Sequence, residues 1–223
     1  ASQLHQIDNS EELLDQRKKE VAQSRIACED LAKQISTRRK KAGKEIEKIM
    51  ATELAQIGIP KVQFKIDITP KELSAEGNDN VSFLFSANKN MPAQPISQVA
   101  SGGEISRVML CLKALISNAQ NLPTIIFDEI DTGVSGAIAE KMAQIMCDMG
   151  QGKCQVISIT HLPQIAAMGQ YHYRVSKTDT DNGTISNMTQ LSQDQRIEEI
   201  AQMLSGSNVS AAARENAKHL LKQ

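Results

Sequence analysis

The chain has 223 residues, with 25 Lys and Arg against 26 Asp and Glu, a formal net charge of -1, and 40% hydrophobic residues. That length holds one good-sized domain with an appendage, and the apolar share excludes a globally disordered chain. The neutral balance excludes a nucleic-acid module that binds through overall basicity, and 3% aromatics with no Trp argue against a base-stacking platform.

The first predicted element is a long polar helix. Ile7, Leu14, Val21, Cys28, Ile35, Ala42 and Ile49 recur at a strict seven-residue period, supplemented by Leu4, Leu31 and Ile46 and interrupted by Arg17, Ser24 and Arg38. Sustained heptads with charges between them predict a coiled-coil arm over residues 1–57, about 85 Å long as one helix. Such a stripe needs a partner helix, and the chain contains no second one. Gly58 and Pro60 end the helix.

Residues 58–223 are expected to form a second unit. Lys61–Thr69 alternates Val62, Phe64, Ile66 and Ile68, and Val81–Ser86 repeats the pattern, so both read as half-buried strands. Glu72–Asn80 and Asn88–Gln98 read as loops. Ile105–Ala119 is an amphipathic helix. Thr124–Phe127 is a short apolar run of the kind buried on both faces, Ala137–Met149 a helix stopped at Gly150–Gly152, and Gln155–Thr160 a second buried strand. This spacing makes a βαβ unit with parallel strands, hence an α/β class. Tyr171–Lys177 and Thr184–Leu191 flank Asp181-Asn182-Gly183, a hairpin signal. Two short helices follow, one capped by Ser192 with Gln195, the other starting near Ser210.

Cys28, Cys111, Cys147 and Cys154 contain no C-x-x-C pair and read as reduced, core-type thiols. No stretch has the apolar length of a membrane span, and there is no secretory signal, so a cytoplasmic setting is expected. The chain starts Ala-Ser-Gln, without Met and already in helical pattern, which suggests a piece of something longer.

Three motifs carry chemistry. Ser101-Gly102-Gly103-Glu104 precedes an amphipathic helix. Ser and Glu at this spacing suit a capping box, but two glycines in a first helical turn cost about 1 kcal/mol each relative to Ala and admit a close-approaching anion. The apolar strand Thr124–Phe127 runs into Asp128 and Glu129, where one carboxylate can hold the water shell of Mg2+ and the other can orient or deprotonate an attacking water. Two acids at a strand end also occur as ordinary caps. His161 ends the next strand, on the same sheet edge, while His5, His172 and His219 lack such context and read as surface residues. The cluster Arg38-Arg39-Lys40-Lys41 with Lys44 could follow a phosphate backbone, though the nearby Glu45 and Glu47 favour a solvated helix face. No G-x-x-x-x-G-K-[ST] occurs, neither at Gly43-Lys44 nor at Gly152-Lys153, so the chain has no cradle for a β-phosphate.

Together these residues resemble the C-terminal lobe of an ABC-type ATPase head of the SMC-like group, in its bacterial DNA-repair branch. The resemblance rests on four runs: Phe-Leu-Phe-Ser-Ala-Asn (83–88), Val-Ala-Ser-Gly-Gly-Glu (99–104) with Arg107, Phe-Asp-Glu-Ile-Asp-Thr-Gly-Val-Ser-Gly (127–136) and Thr-His-Leu-Pro-Gln-Ile-Ala (160–166). The last run separates it from condensin-type relatives. Ala100 and Glu104 stand where transporters commonly have Leu and Gln, as is typical of SMC-like heads.

The resemblance implies ATP and Mg2+ as cofactors. It implies that Ser101, Gly102, Gly103 and Glu104 form a signature that meets ATP on a second head in a homodimer, and that Asp128 holds Mg2+ through water. It further implies that Glu129 acts as base, that Asp131 links two composite sites and that His161 senses the γ-phosphate. Arg107 would support the signature helix or reach DNA. A Walker A lobe of the same protein would be missing, DNA would be engaged by the whole protein, and the setting would be cytoplasmic and nucleoid-associated. Residues 1–57 would be the returning arm of the coiled coil. The competing readings are a non-enzymatic coiled-coil scaffold with an ABC-like interaction domain, and another SMC-like family member.

Overall fold

Residues Ser2–Gln56 form one helix, α1. The structure, a computed structural model, describes residues 2–99, 101–120, 122–152, 154–180, 183–206 and 208–222. Ala100, Lys153 and the turn residues Asp181 and Asn182 therefore lie outside the described residues, as does the side chain of the first seam position, Ile7.

The helix carries two stripes. The heptad seam at Leu14, Val21, Cys28, Ile35, Ala42 and Ile49 is exposed. A second stripe, through Ala32, Gly43, Met50 and Leu54, is buried, and a Cβ added at Gly43 would lie 3.8 Å from the side chains of Ile66 and Ile68. With 3.6 residues per turn, the stripes sit about a quarter turn apart. One face packs on this chain and the other is exposed. Gly58, at φ +90, closes α1 while the Ile59 N–H bonds the Leu54 carbonyl at 2.9 Å, a Schellman stop.

β1 (Gln63–Ser74) and β2 (Gly77–Ser86) pair antiparallel from Gln63 opposite Ser86 to Ser74 opposite Gly77, with an irregularity between Pro70 and Ser74. Glu72–Asn80 is thus the end of a hairpin, not the expected loop: the alternating apolar residues set the register, and the polar residues beyond extend the same ladder. The expected loop at Asn88–Gln98 holds β3 (Gln94–Pro95), which pairs with β2, and begins the one-turn helix α2 (Ile96–Val99). The hairpin lies along α1. Asp79 accepts bonds from Ser36 Oγ at 2.8 Å and Arg39 Nη1 at 3.2 Å, Arg39 Nη2 reaches the Glu76 carbonyl at 2.8 Å, and the Ile66 N–H bonds Glu47 at 2.7 Å.

α3 (Gly102–Gln120), β4 (Thr124–Asp128), α4 (Gly136–Gly150) and β5 (Gln155–Ile159) follow. β4 and β5 are parallel and in register from Thr124 opposite Gln155 to Asp128 opposite Ile159, as the βαβ spacing requires. Their burial corrects the expectation of strands covered on both sides. Ile125 and Phe127 are buried, whereas Ile126 is 59% exposed, Ile157 41% and Ile159 52%. In a parallel pair, register partners share a face, so these three isoleucines form one bare apolar face. Among the described residues, no element covers it. The main core joins Met50 and Leu54 of α1, and Ile57 just beyond it, to Phe64, Phe85, Val108, Leu110, Ile125, Phe127 and Met142.

α5 (Pro163–Met168) leads to a ribbon of β6 (Tyr173–Thr180) and β7 (Gly183–Gln190), then α6 (Gln193–Ser205) and α7 (Ala211–Leu220). Ser192 and Gln195 form the expected capping box, and Ser210 caps α7. α5, α6 and α7 share a smaller core of Ala167, Ile200, Ala201, Ala213 and Ala217. Arg196 of α6 ties the end of α5 by donating to the Gly169 carbonyl at 2.6 Å and the Ala167 carbonyl at 3.2 Å. His172 is not the surface residue expected: it is half-buried, and burial first, then the Arg196 charge, holds its imidazole below its usual titration range. All four thiols are free, with Cys111 and Cys154 buried; Cys28 departs from a core-type reading because the seam it sits on faces solvent. No helix is long and apolar enough to cross a membrane among the described residues.

Candidate functional site

The site is built at the edge where β4 and β5 both end. Because the strands are parallel and stop in register, Asp128, Glu129 and His161 emerge on one side of the sheet. The Glu129 N–H carries the pairing one step further by bonding the Ile159 carbonyl at 3.2 Å. The chain then turns sharply. Glu129 has φ +48, the one positive value at a non-glycine among the described residues, and its carbonyl accepts from the Thr132 amide at 3.4 Å and hydroxyl at 3.0 Å. Left-handed backbone at a side chain this size costs on the order of 1–3 kcal/mol, and such strain concentrates at functional sites. The turn presents the Asp128 and Glu129 carboxylates to solvent.

Asp131 behaves differently. It is fully buried, at 0% exposure. Its Oδ2 accepts from the Thr160 hydroxyl and from the His161 amide at 3.3 Å, and it lies 3.5 Å from His161 Nδ1. The Thr160 hydroxyl also accepts from the Leu162 amide at 3.0 Å. The loop after β4 and the loop after β5 are thereby joined through one carboxylate. Its other oxygen, Oδ1, has no hydrogen-bond partner among the described residues.

The N-terminus of α3 meets the same loop. A Cβ on Gly103 would lie 2.9 Å from the Thr132 carbonyl oxygen, so that position is held to glycine by packing. Gly102 has nothing within 4 Å of where its Cβ would be, and its backbone is open to an approaching group. Ser101 and Glu104 form a capping box: the Glu104 amide donates to Ser101 Oγ at 3.4 Å and the Ser101 amide to the Glu104 carboxylate at 3.2 Å. The structural reading of Ser101 and Glu104 is therefore realised, and Gly102 is the member of the motif that packing leaves unexplained.

These contacts run in sequence from the start of α3 through the loop after β4 to the loop after β5. They bring Gly103, Asp131 and His161 into one neighbourhood. The sequence alone gives Thr132 and Thr160 no role; the one signal for Thr160 is its place directly before His161 at the end of a strand. Arg107 is half-buried, and its Nε is turned inward without a hydrogen-bond partner among the described residues. Within the basic cluster, Arg39 is committed to Asp79, while Arg38, Lys40, Lys41 and Lys44 are exposed.

Among the described residues, no group of three or more His, Cys, Asp or Glu could enclose a metal ion. The exposed Asp128 suits a water-mediated hold on a hard cation, whose remaining ligands come from phosphate and water. The site is an open edge. A concavity of about 850 Å3 lies elsewhere, between α1 and the β1–β2 hairpin, beside Arg17, Val21, Cys28 and Leu73.

Comparison with known proteins gives a consistent picture. No family model matches the chain. It is 35% identical to the DNA repair protein RecN of Vibrio cholerae over 224 residues, which covers 98% of this chain and 40% of that protein. It is 36% identical to the DNA repair protein RecN of Bacillus subtilis over 239 residues, covering 99% and 41%. The chain thus spans about two fifths of the length of the curated relatives it matches. Among solved structures, it superposes on the Smc head domain with a coiled coil and joint from Pyrococcus yayanosii with TM-score 0.56 at 18% identity, over 72% of this chain and 29% of that one. The Smc head domain with an extended coiled coil from Pyrococcus furiosus gives TM-score 0.54 at 17% identity, over 79% and 42%.

Proposed function

We infer, for a chain that is a homologue of about 40% of the DNA repair protein RecN and that has the fold of an SMC head with its coiled coil, that it supplies one side of an ATP-hydrolysing site in DNA double-strand break repair. Residues 1–57 act as the arm and residues 58–223 as the C-terminal lobe of the head. The observation that carries this reading is the convergence of Asp128, Glu129 and His161 at the shared end of β4 and β5, with Asp131 joining the two loops and Thr132 against Gly103 at the start of α3.

The residues divide the labour by position. Bound ATP supplies the phosphoanhydride bond, and Mg2+ supplies the charge that withdraws electron density from it. Asp128 would hold the cation's water shell. Glu129, solvent-exposed on a strained turn, would orient the attacking water and take its proton. His161 would hydrogen-bond a terminal phosphate oxygen through its outward nitrogen. Ser101 and the open Gly102 backbone would meet phosphate oxygens of a nucleotide held by a second copy, at a helix N-terminus suited to anions.

The bare face of Ile126, Ile157 and Ile159 supports a further lobe, outside this sequence, packed against the sheet. With no G-x-x-x-x-G-K-[ST] in the chain, the β-phosphate cradle would come from that lobe. The exposed heptad seam of α1 would pair with a second arm helix. DNA would be engaged by the whole assembly.

The test is steady-state ATP turnover by the full-length protein carrying this chain. Glu129→Gln is expected to abolish turnover and to accumulate ATP-bound dimers, visible by sedimentation. Turnover unchanged in that variant would remove Glu129 from the mechanism. No turnover by a folded full-length protein, with or without DNA, would favour a second reading, a coiled-coil scaffold. The completed Ser101–Glu104 capping box, which accounts for both residues by helix capping, is the observation on that side.

A further inference from the structure

The buried carboxylate of Asp131 has more to do than join two loops. His161 carries an imidazole that is 68% exposed, and an exposed ring has few contacts to fix its orientation. The polar group beside it is Asp131 Oδ2, 3.5 Å from Nδ1. The same oxygen already accepts from Thr160 Oγ1 and the His161 amide, while Oδ1 is buried and unpartnered among the described residues. A fully buried carboxylate with a free oxygen is costly in folding terms, because its lost hydration is only partly replaced. With its proton on Nδ1, the ring can donate to Oδ2, the oxygen it already faces at 3.5 Å, and add to the replacement of that hydration. The imidazole is then held in one tautomer, with Nε2 directed away from the protein.

We propose that Asp131 and Thr160 form a clamp that fixes the His161 ring with Nδ1–H toward the Asp131 carboxylate and Nε2 presented at the sheet edge. Asp131 is then a positioning residue. It acts within its own chain and not as a contact to a second site. Thr160 is the second half of the device: its hydroxyl donates to Asp131 and accepts from the Leu162 amide, which pins the backbone on both sides of His161. The proposal rests on the ATPase reading above for its effect on rate, but the ring orientation can be decided without it.

The experiment uses the full-length protein in three variants. Asp131→Asn keeps an oxygen for the Thr160 hydroxyl and the His161 amide but removes the carboxylate facing Nδ1. Thr160→Val removes the hydroxyl, and Thr160→Ser restores it. Expected is a fall in kcat of about 10–100-fold for Asp131→Asn and Thr160→Val with KM for ATP changed less than about threefold, near wild-type rates for Thr160→Ser, and no further loss in the double variant. Unchanged kcat in Asp131→Asn overturns the clamp, as does a loss that follows only the folded fraction in thermal melts.

The independent readout is the 15N spectrum of the His161 imidazole at fixed pH without nucleotide. A protonated Nδ1 in the wild type that is redistributed in Asp131→Asn supports the clamp. The same tautomer in both overturns it. If the full-length protein hydrolyses no ATP, the functional reading fails while this spectrum still decides the clamp.

Discussion

Gly102 and Gly103 are adjacent, yet their surroundings differ. A Cβ at Gly103 would meet the Thr132 carbonyl at 2.9 Å, and backbone there cannot yield cheaply; a Cβ at Gly102 would meet nothing. Gly103→Ala should therefore lose stability, since overpacking costs about 1–3 kcal/mol against at most about 1 kcal/mol gained in helix propensity. Gly102→Ala should leave stability equal or higher by up to about 1 kcal/mol, yet lower ATP-dependent head association if its backbone meets phosphate. Denaturant unfolding and sedimentation with ATP separate the two effects. A Gly102→Ala variant with full association would leave that glycine without a functional role. The cysteines offer a simpler check. Burial pushes the Cys111 thiol up to about 12, so it should resist alkylation near neutral pH in the native state, whereas the exposed Cys28 should react. Mass spectrometry of the modified chain reads both at once.

At the scale of elements, two polar anchors hold secondary structures to one another. The β1–β2 hairpin is fastened to α1 through Asp79, whose carboxyl is held below the usual carboxylate range by the Ser36 hydrogen bond first and by Arg39 as well, against the opposing effect of burial. A depressed folded pKa places the stabilisation above the ordinary value of 3.8, with loss as pH falls from there through the lower folded value. Acid unfolding should show this component in the wild type, and Asp79→Asn should remove it. The second anchor is Arg196, which donates to two carbonyls at the end of α5. Arg196→Ala should cost about 1.5–3 kcal/mol, the range for hydrogen bonds to a charged group. Lys should rescue it poorly, since one ammonium cannot reproduce the planar fork. Urea midpoints of the three proteins provide the measurement.

For the whole molecule, the informative surfaces are apolar ones that no element covers among the described residues. Ile126, Ile157 and Ile159 form one face of the β4–β5 pair, and α1 presents its seam a quarter turn from the face it buries on β1 and β2. Exposed apolar surface of this kind drives association. The 223-residue chain by itself should associate with rising concentration, and Ile126→Thr with Ile157→Thr should weaken this if the sheet face is responsible. A clean monomer in sedimentation at high concentration would argue against that. If the proposed further lobe covers the sheet, the same isoleucines should become protected from solvent in the full-length protein, as hydrogen exchange of β4 and β5 would show.

Much of this was legible in the residues. The seven-residue spacing gave the long helix, Gly58 and Pro60 its end, the βαβ spacing the parallel strands, and Ser192 and Ser210 the two caps, because each depends on local backbone preference or on a period that one helix or strand must satisfy. The positions of Asp128, Glu129 and His161 at one edge followed from strand direction alone. The sequence could not show which of two stripes on α1 faces the body, because both are apolar enough and only docking on β1 and β2 selects the one through Ala32, Gly43 and Met50. Nor could it show that an apolar run built for a two-sided sheet is bare on one side here, since composition records what a strand can bury and only the tertiary structure records what is present to cover it. The turning of Asp131 inward to Thr160 and His161, and the confinement of Gly103 by Thr132, are decisions of the same kind. They depend on two loops from different strands meeting in space, a distance that no spacing along the chain encodes.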